Sequence, residues 1–495
     1  MAGTFGRRRF LAGAAAATAL GAIEPWSAVR ALAAGRLALP NPKTAPFDHV
    51  IVLMMENRSF DHFLGWLPGA DGIQSGLAYW DTSKPAKLYP TYQLAPDYQG
   101  CGYADPDHSW EGGVKQLNGG KMDGFLQTAL PNDTLPVGYY SEDSLPVLGA
   151  LARSYTTSDY YFCSILAETF PNRFYQHAAT TDRDHNMGVT STTLSPTIWD
   201  RVAAAGLTGL YYSADVPFIG LWGTKYASIT RTTANFLADC AAGNLPNLAF
   251  VDPSFEDEGT GTSVDDHPHA DIRAGEAFIG QIYQAVRSSR QWNKTVMVLN
   301  YDEWGGFYDH VVPPKVIDTT TRPVGSGPHP DYRQLGFRVP NVIISPFSTK
   351  GRVVHNDGFG PFEHTSVLKM VEWRWGLSPL TDRDKNARNL AEMLDFNLQR
   401  TDTPTIPTVI PPPRLPCLVA GLPANPPKPI SIASGGDAKA GSAGANNGTG
   451  TLPDTAAAGP VNSGAAPLAA GLGLAALAGA RPLMAARGIP SAGGG

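Results

Sequence analysis

The chain of 495 residues lacks several features that would place it quickly. It has only four cysteines, Cys101, Cys163, Cys240 and Cys417, with no CxxC spacing, which excludes a zinc knuckle and a redox dithiol. In an exported chain they allow two disulfides in three connectivities, and the sequence does not choose among these. A basic balance is missing as well. The formal net charge of −6 argues against a nucleic-acid partner held by a positive surface. Long apolar runs are scarce, and the C-terminal stretch 464–480 is dilute in Ala and Gly and shorter than the roughly 18 residues of a confident membrane span.

What is present begins with the two ends. Arg7-Arg8-Arg9-Phe10-Leu11, a mild apolar stretch to Ile23 and small residues at 31–33 resemble a twin-arginine export signal over residues 1–33. Past Thr401 the composition turns proline-rich, and from 431 to 463 it is dominated by Gly, Ala, Ser and Asn. Such a segment buries too little apolar surface to offset its ordering entropy, so 401–463 reads as a disordered linker. Within it, Leu452-Pro453-Asp454-Thr455-Ala456 resembles a sortase-type sorting motif, followed by the weakly apolar segment 464–495. That motif is a candidate point of cell-wall attachment.

Residues 45–400 contain no stretch of linker composition and read as one domain. Val50–Met55, Leu248–Val251, Thr295–Tyr301 and Val339–Ser345 have the apolar, β-branched content of buried strands. Asp143–Ser154, Asp271–Trp292 and Ser366–Trp375 have helical periodicity, with Phe278, Ile279, Ile282, Tyr283 and Val286 forming one stripe. Alternating strands and helices predict an α/β layered domain with a largely parallel sheet.

The polar clusters fall at predicted strand ends, where ligands bind in such sheets. Val50–Met55 ends in Glu56-Asn57, and Thr295–Tyr301 ends in Asp302-Glu303. Together they offer hard oxygen donors suited to a small divalent cation, with Gly305 and Gly306 allowing close backbone approach. In Glu168-Thr169-Phe170-Pro171-Asn172-Arg173, Pro171 places a helix start near Thr169. A threonine there is either a helix cap or, beside a cation, a nucleophile. His108 and His267 are candidates to donate to phosphoryl oxygens or to a leaving alkoxide. His62, His310 and His364 sit in similarly polar settings.

The motifs ENRSFDH (Glu56–His62), ETFPNR (Glu168–Arg173), DDHPHADIRAGEAF (Asp265–Phe278) and YDEWGGFYDHVVPP (Tyr301–Pro314) resemble the bacterial phosphoesterase family. That family comprises non-zinc phospholipases C and acid phosphatases with an alkaline-phosphatase-like α/β core. The resemblance implies that Thr169 is a transiently phosphorylated nucleophile. It implies that Glu56, Asn57, Asp302, Glu303 and the Thr169 hydroxyl hold one divalent cation of Ca, Mg or Mn type, with His108 and His267 lining the phosphate pocket. The expected substrate is a phospholipid or a small phosphate ester. A phospholipase C-like diesterase leads, an acid phosphatase acting on monoesters follows, and a wall-anchored binding protein on a retired hydrolase fold is the reading of another class. Tyr103, Trp110, Tyr139 and Tyr140 are candidates for an aromatic cage around a choline head group.

Overall fold

The computed structural model describes residues 38–417 and 427–431, apart from 189, 192, 193, 195, 257, 320–328 and 403. The expected export signal, the sorting motif and the weakly apolar segment 464–495 lie outside the described residues.

A run such as Val-Ile-Val-Leu-Met-Met has no polar side to offer water, so its strand must be covered on both faces. Strand β1 (His49–Met55) is accordingly buried along its whole length, near the middle of a six-stranded sheet. The other strands are β2 (Gly209–Ser213), β3 (Thr230–Thr232), β4 (Leu248–Asp252), β5 (Thr295–Tyr301) and β6 (Asn341–Ile344). Their order across the sheet is β6-β5-β1-β4-β2-β3. All neighbours are parallel except β6, which runs against β5. The layered α/β architecture with a mostly parallel central sheet is therefore as expected.

The register decides where chemistry can occur. His49 pairs with Thr295 and Met55 with Tyr301, so β1 and β5 end level with each other. Leu53 pairs with Val251, which brings Asp252 at the end of β4 to the same edge. Three neighbouring strands thus discharge carboxylates into one crevice: Asp252, Glu56 and Asp302.

The helices are α1 (Phe60–Leu64), α2 (Trp110–Leu117), α3 (Pro146–Ser154), α4 (Thr169–Ala178), α5 (Ile198–Ala204), α6 (Thr233–Ala242), α7 (Ile272–Ser288), α8 (His364–Trp375) and α9 (Asp382–Asn386). They pack in two groups, α3 and α6 against α7, and α5 and α8 against α4 with α9 on α8. Helix α7 buries the predicted stripe but stops at Ser288, where paired serines compete for backbone hydrogen bonds, and Trp292–Lys294 forms a separate 3₁₀ turn. Helix α3 starts at Pro146 rather than Asp143, because proline fits the first turn and not the interior. Helix α8 starts two residues before Ser366, at a capping box made by Glu363 and Ser366. No helix among the described residues is long and apolar enough to cross a membrane.

The proline-rich segment behaves differently from a free linker over its first part. Ile406 is buried and Val409 packs on the core. The strap is fastened by a disulfide between Cys101 and Cys417, 316 residues apart in sequence. The Cys417 N–H donates to Thr260 O at 2.7 Å, and Gln99 Nε2 donates to Gly261 O at 3.0 Å and Leu415 O at 2.9 Å. Cys163 and Cys240 are buried and free, so one disulfide forms where two were allowed.

Glu276 on α7 shows how the layers are joined. Its carboxyl accepts the N–H groups of Val147 and, at 3.0 Å, Leu148, capping α3 from another helix. Burial nevertheless pushes its pKa up to about 8. A carboxyl whose folded pKa is raised stabilises fully below its unfolded value and loses that contribution as pH rises. Stability is expected to fall from about pH 4.5 to about pH 8, by ~2–5 kcal/mol, and then to level off. In Glu276→Gln the slope in denaturant melts across the same range should be shallower by that amount, the remainder coming from Asp252, Asp265, Asp266 and Asp309, which burial also shifts upward.

Candidate active site

Strand ends supply the floor of the site. Asp302 N–H donates to Met55 O at 3.1 Å, Asn57 N–H to Asp302 Oδ1 at 3.2 Å and Arg58 N–H to Glu303 O at 3.0 Å, stitching the two polar ends together. Asn57 adopts φ +59°, a left-handed conformation that asparagine tolerates better than most residues. The glycines act as expected. A Cβ on Gly305 would lie 2.0 Å from Asn57 O, and one on Gly306 would lie 2.6 Å from Pro106 Cβ. The Gly305-Gly306 backbone therefore draws the segments carrying Asn57 and His108 together.

Thr169 is the first residue of α4, and Glu168, not Thr169, holds the cap position. Its hydroxyl therefore does not serve as the helix cap. It donates to Asn57 Oδ1 at 3.4 Å, which puts it directly over the end of β1. The helix start offers an anion less than its dipole suggests. Pro171 has no N–H, and the Phe170 N–H is spent on Asn186 Oδ1 at 2.7 Å. Side chains must supply most of the anion contacts.

Arg173, one turn further along α4, is the residue whose role the sequence reading missed. Its guanidinium reaches Glu56 Oε1 at 3.1 Å, Asp252 Oδ1 at 3.1 Å and Asp302 Oδ2 at 3.0 Å, all buried. One cation cannot neutralise this edge, which also carries Glu303 and, close to Glu56, Glu258 and Asp265. Burial raises the pKa of Glu56 well above the carboxylate range, reinforced by Glu258 and Asp302 and opposed by Arg173. Glu303 is shifted upward in the same direction by burial.

The predicted ligands are brought to one place, but not onto one point. Carboxylate and imidazole atoms within 4.8 Å of one another form three groups among the described residues: Asp105–His108–His267, Asp61–Asp309–His310 and Glu56–Glu258–Asp265. Glu56, Asp302 and Glu303 are not such a group, and Arg173 bridges Glu56 to Asp302. Glu303 nevertheless holds Gly305 N–H with Oε2 at 2.7 Å and leaves Oε1 buried with no partner. A buried, unpaired carboxylate oxygen beside Asn57 and Asp302, in a set of hard donors with excess negative charge, fits a divalent cation.

The histidines divide the work. His108 Nδ1–H donates to Pro106 O at 2.7 Å, which turns Nε2 towards Asn57 Nδ2 at 3.5 Å. Burial opposes its charge, but Glu303, Asp105 and the Pro106 carbonyl outweigh burial and push its pKa up to about 10. At 3.5 Å the approach of Asn57 is a long one. His267, 5.9 Å away centroid to centroid, is brought down to about 4 by burial in spite of Asp105, whose Oδ2 lies 3.7 Å from Nε2.

The remaining histidines are structural. His62 Nδ1–H donates to Gly138 O at 2.8 Å and its ring stacks on Phe307. His364 Nε2–H donates to Asp302 O at 2.7 Å and so braces the strand end. His310 joins Asp61, Asp309 and Arg338 in a buried network with Arg338 3.0 Å from Asp61 and 2.9 Å from Asp309. Two members of the suggested aromatic cage, Tyr103 and Tyr140, are buried. The Tyr140 hydroxyl is tied to Asp97 O and the Tyr103 hydroxyl to Tyr92.

Removing Arg173 strands three buried carboxylates. Arg173→Met is expected to lower stability at neutral pH by about 3–5 kcal/mol in chemical denaturation. Arg173→Lys should recover only part, because an ammonium cannot reproduce the planar fork.

The model of the Phosphoesterase family matches residues 47–378. Non-specific phospholipase C6 of Arabidopsis thaliana is 32% identical over 407 residues, covering 74% of this chain and 76% of that protein. Phospholipase C B of Mycobacterium tuberculosis is 32% identical over 440 residues, covering 75% and 81%. A solved structure from the alkaline phosphatase superfamily of Vibrio parahaemolyticus aligns over 79% of each chain at 11% identity with a TM-score of 0.34, too distant a likeness to bear on function. The chain belongs to the Phosphoesterase family and is a phosphoric ester hydrolase.

Proposed function

We propose that the chain cleaves phospholipid phosphodiesters in the manner of a phospholipase C, through a phosphothreonine at Thr169. The observation that carries this reading is the Thr169 hydroxyl, 3.4 Å from Asn57 Oδ1 above the paired strand ends. The phospholipase C relatives support the diester class.

Glu56, Asn57, Asp302 and Glu303, with the Thr169 hydroxyl, are the residues to hold one divalent cation, which supplies Lewis-acid charge at the reacting oxygens when bound. Thr169 Oγ1 gives up its proton to solvent and attacks phosphorus in line with the ester oxygen of the diacylglycerol. A P–O bond forms to threonine and the bond to the leaving alkoxide breaks. His108, its ring fixed by the Pro106 carbonyl, donates to the non-bridging oxygens. A histidine delivers a proton to the departing alkoxide, which leaves as the alcohol. Water then attacks the phosphothreonine, releases the phosphorylated head group and restores the threonine hydroxyl.

Action outside the cytoplasm belongs to the same reading. It is supported by Arg7-Arg8 and the stretch behind them, and by the disulfide Cys101–Cys417, a bond at home in oxidising compartments. The motif Leu452–Ala456 supports attachment to a cell wall.

The test is parallel hydrolysis of a chromogenic phosphocholine diester and a chromogenic phosphate monoester, with and without chelator. Diester turnover is expected to dominate and to vanish with chelator. Thr169→Ala should lose on the order of a thousand-fold or more in kcat with its melting temperature unchanged. Faster monoester turnover would instead make the protein an acid phosphatase. Retained activity in Thr169→Ala would remove the covalent step, and indifference to chelator would remove the cation.

A further inference from the structure

A second group of carboxylates adjoins the strand-end centre and has no part in the chemistry above. Glu258 lies in the 3₁₀ turn Glu258–Thr260 that follows β4, and Asp265 lies in the loop leading into α7. Together with Glu56 they place three oxygen donors, one from each residue, within 4.8 Å of one another.

Charge is the first argument. Arg173 is engaged with Glu56, Asp252 and Asp302, and neither Glu258 nor Asp265 makes an ion pair with a lysine or arginine among the described residues. Three carboxylates so close, and largely removed from water, repel one another unless something positive lies between them.

The second argument is an oxygen that no donor reaches. Asp265 is fully buried, and its Oδ1 accepts from Ser263 Oγ at 2.7 Å and from the His267 N–H at 2.9 Å. Those two bonds fix the carboxylate; no N–H or hydroxyl donor reaches its other oxygen, Oδ2, and the group it meets instead is the Glu258 carboxyl, so either a proton or a metal ion must lie between the two. The residue cannot swing away, because its own carbonyl accepts the Glu56 N–H at 2.8 Å. The Glu258 turn is held by the strap through Cys417 N–H to Thr260 O, and by Gln99, whose Nε2 bridges Gly261 O and Leu415 O. A preformed, all-oxygen cluster with a buried ligand atom that no donor reaches has the donor chemistry of a hard divalent ion, calcium or manganese, whose remaining positions water would fill.

We propose that Glu56, Glu258 and Asp265 bind a second divalent cation beside the catalytic one, with Glu56 shared between them. This takes Glu56 from the proposed mechanism and otherwise rests on residues that mechanism does not use. Such an ion ties the loop carrying His267, two residues beyond Asp265, to the end of β1. It therefore sets the position of that histidine relative to Thr169 and His108.

The experiment counts ions on the purified full-length chain, stripped with chelator and reloaded by dialysis against Ca²⁺ or Mn²⁺, by elemental mass spectrometry. Two ions per wild-type chain are expected, falling to one in Glu258→Gln and to one in Asp265→Asn, with the secondary structure and melting transition of each variant checked. Glu258 is less deeply buried than Asp265, so its variant keeps the test open if Asp265→Asn folds poorly. One ion per wild-type chain that survives Glu258→Gln overturns the proposal and leaves a proton shared by Glu258 and Asp265 in its place. Asp302→Asn separates the two readings: full loading in that variant, with an ion lost in Glu258→Gln, would sink the catalytic cation and sustain this second one.

Discussion

The crevice is governed by an excess of negative charge that the fold itself creates. Parallel strands in register must end on one edge, and here three adjacent ends carry Asp252, Glu56 and Asp302. Arg173 reaches all three from α4, and it does so because Thr169 begins that helix four residues earlier. The helix therefore delivers two things to the crevice one turn apart, a hydroxyl above Asn57 and a guanidinium among the carboxylates. Stability and reactivity share the same few residues, since the groups that make the edge costly to bury are those that give it chemistry.

Much of this was legible in the chain. The strand over Thr295–Tyr301 was read to the residue, and β1 to within one, because uninterrupted apolar runs admit little else. Glu56, Asn57, Asp302 and Glu303 were found because abrupt polarity after such runs marks a strand's carboxyl end. Thr169 was found because Pro171 announces a helix start. Arg173 was quoted in its motif but given no role, since nothing local shows that a buried arginine meets three carboxylates up to 129 residues away. Glu258 gave no signal at all. The short strands β2 and β3 were missed for a related reason: Thr230–Thr232 is polar and partly exposed, and pairing rather than composition makes it a strand.

The differences at element ends share a pattern. Periodicity places the middle of α7 and α3 correctly, while capping chemistry sets their limits, through serines at 288 and 289 and proline at 146. The disulfide was not legible, because pairing between Cys101 and Cys417 depends on a strap whose composition resembles a free linker.

That strap sets a timetable for maturation. The loops bearing His108 and Glu258 are held by residues 415 and 417, which leave the ribosome after the whole sheet has been made. Those loops are thus pinned only after the strands of the sheet have been synthesised, onto a core already in place.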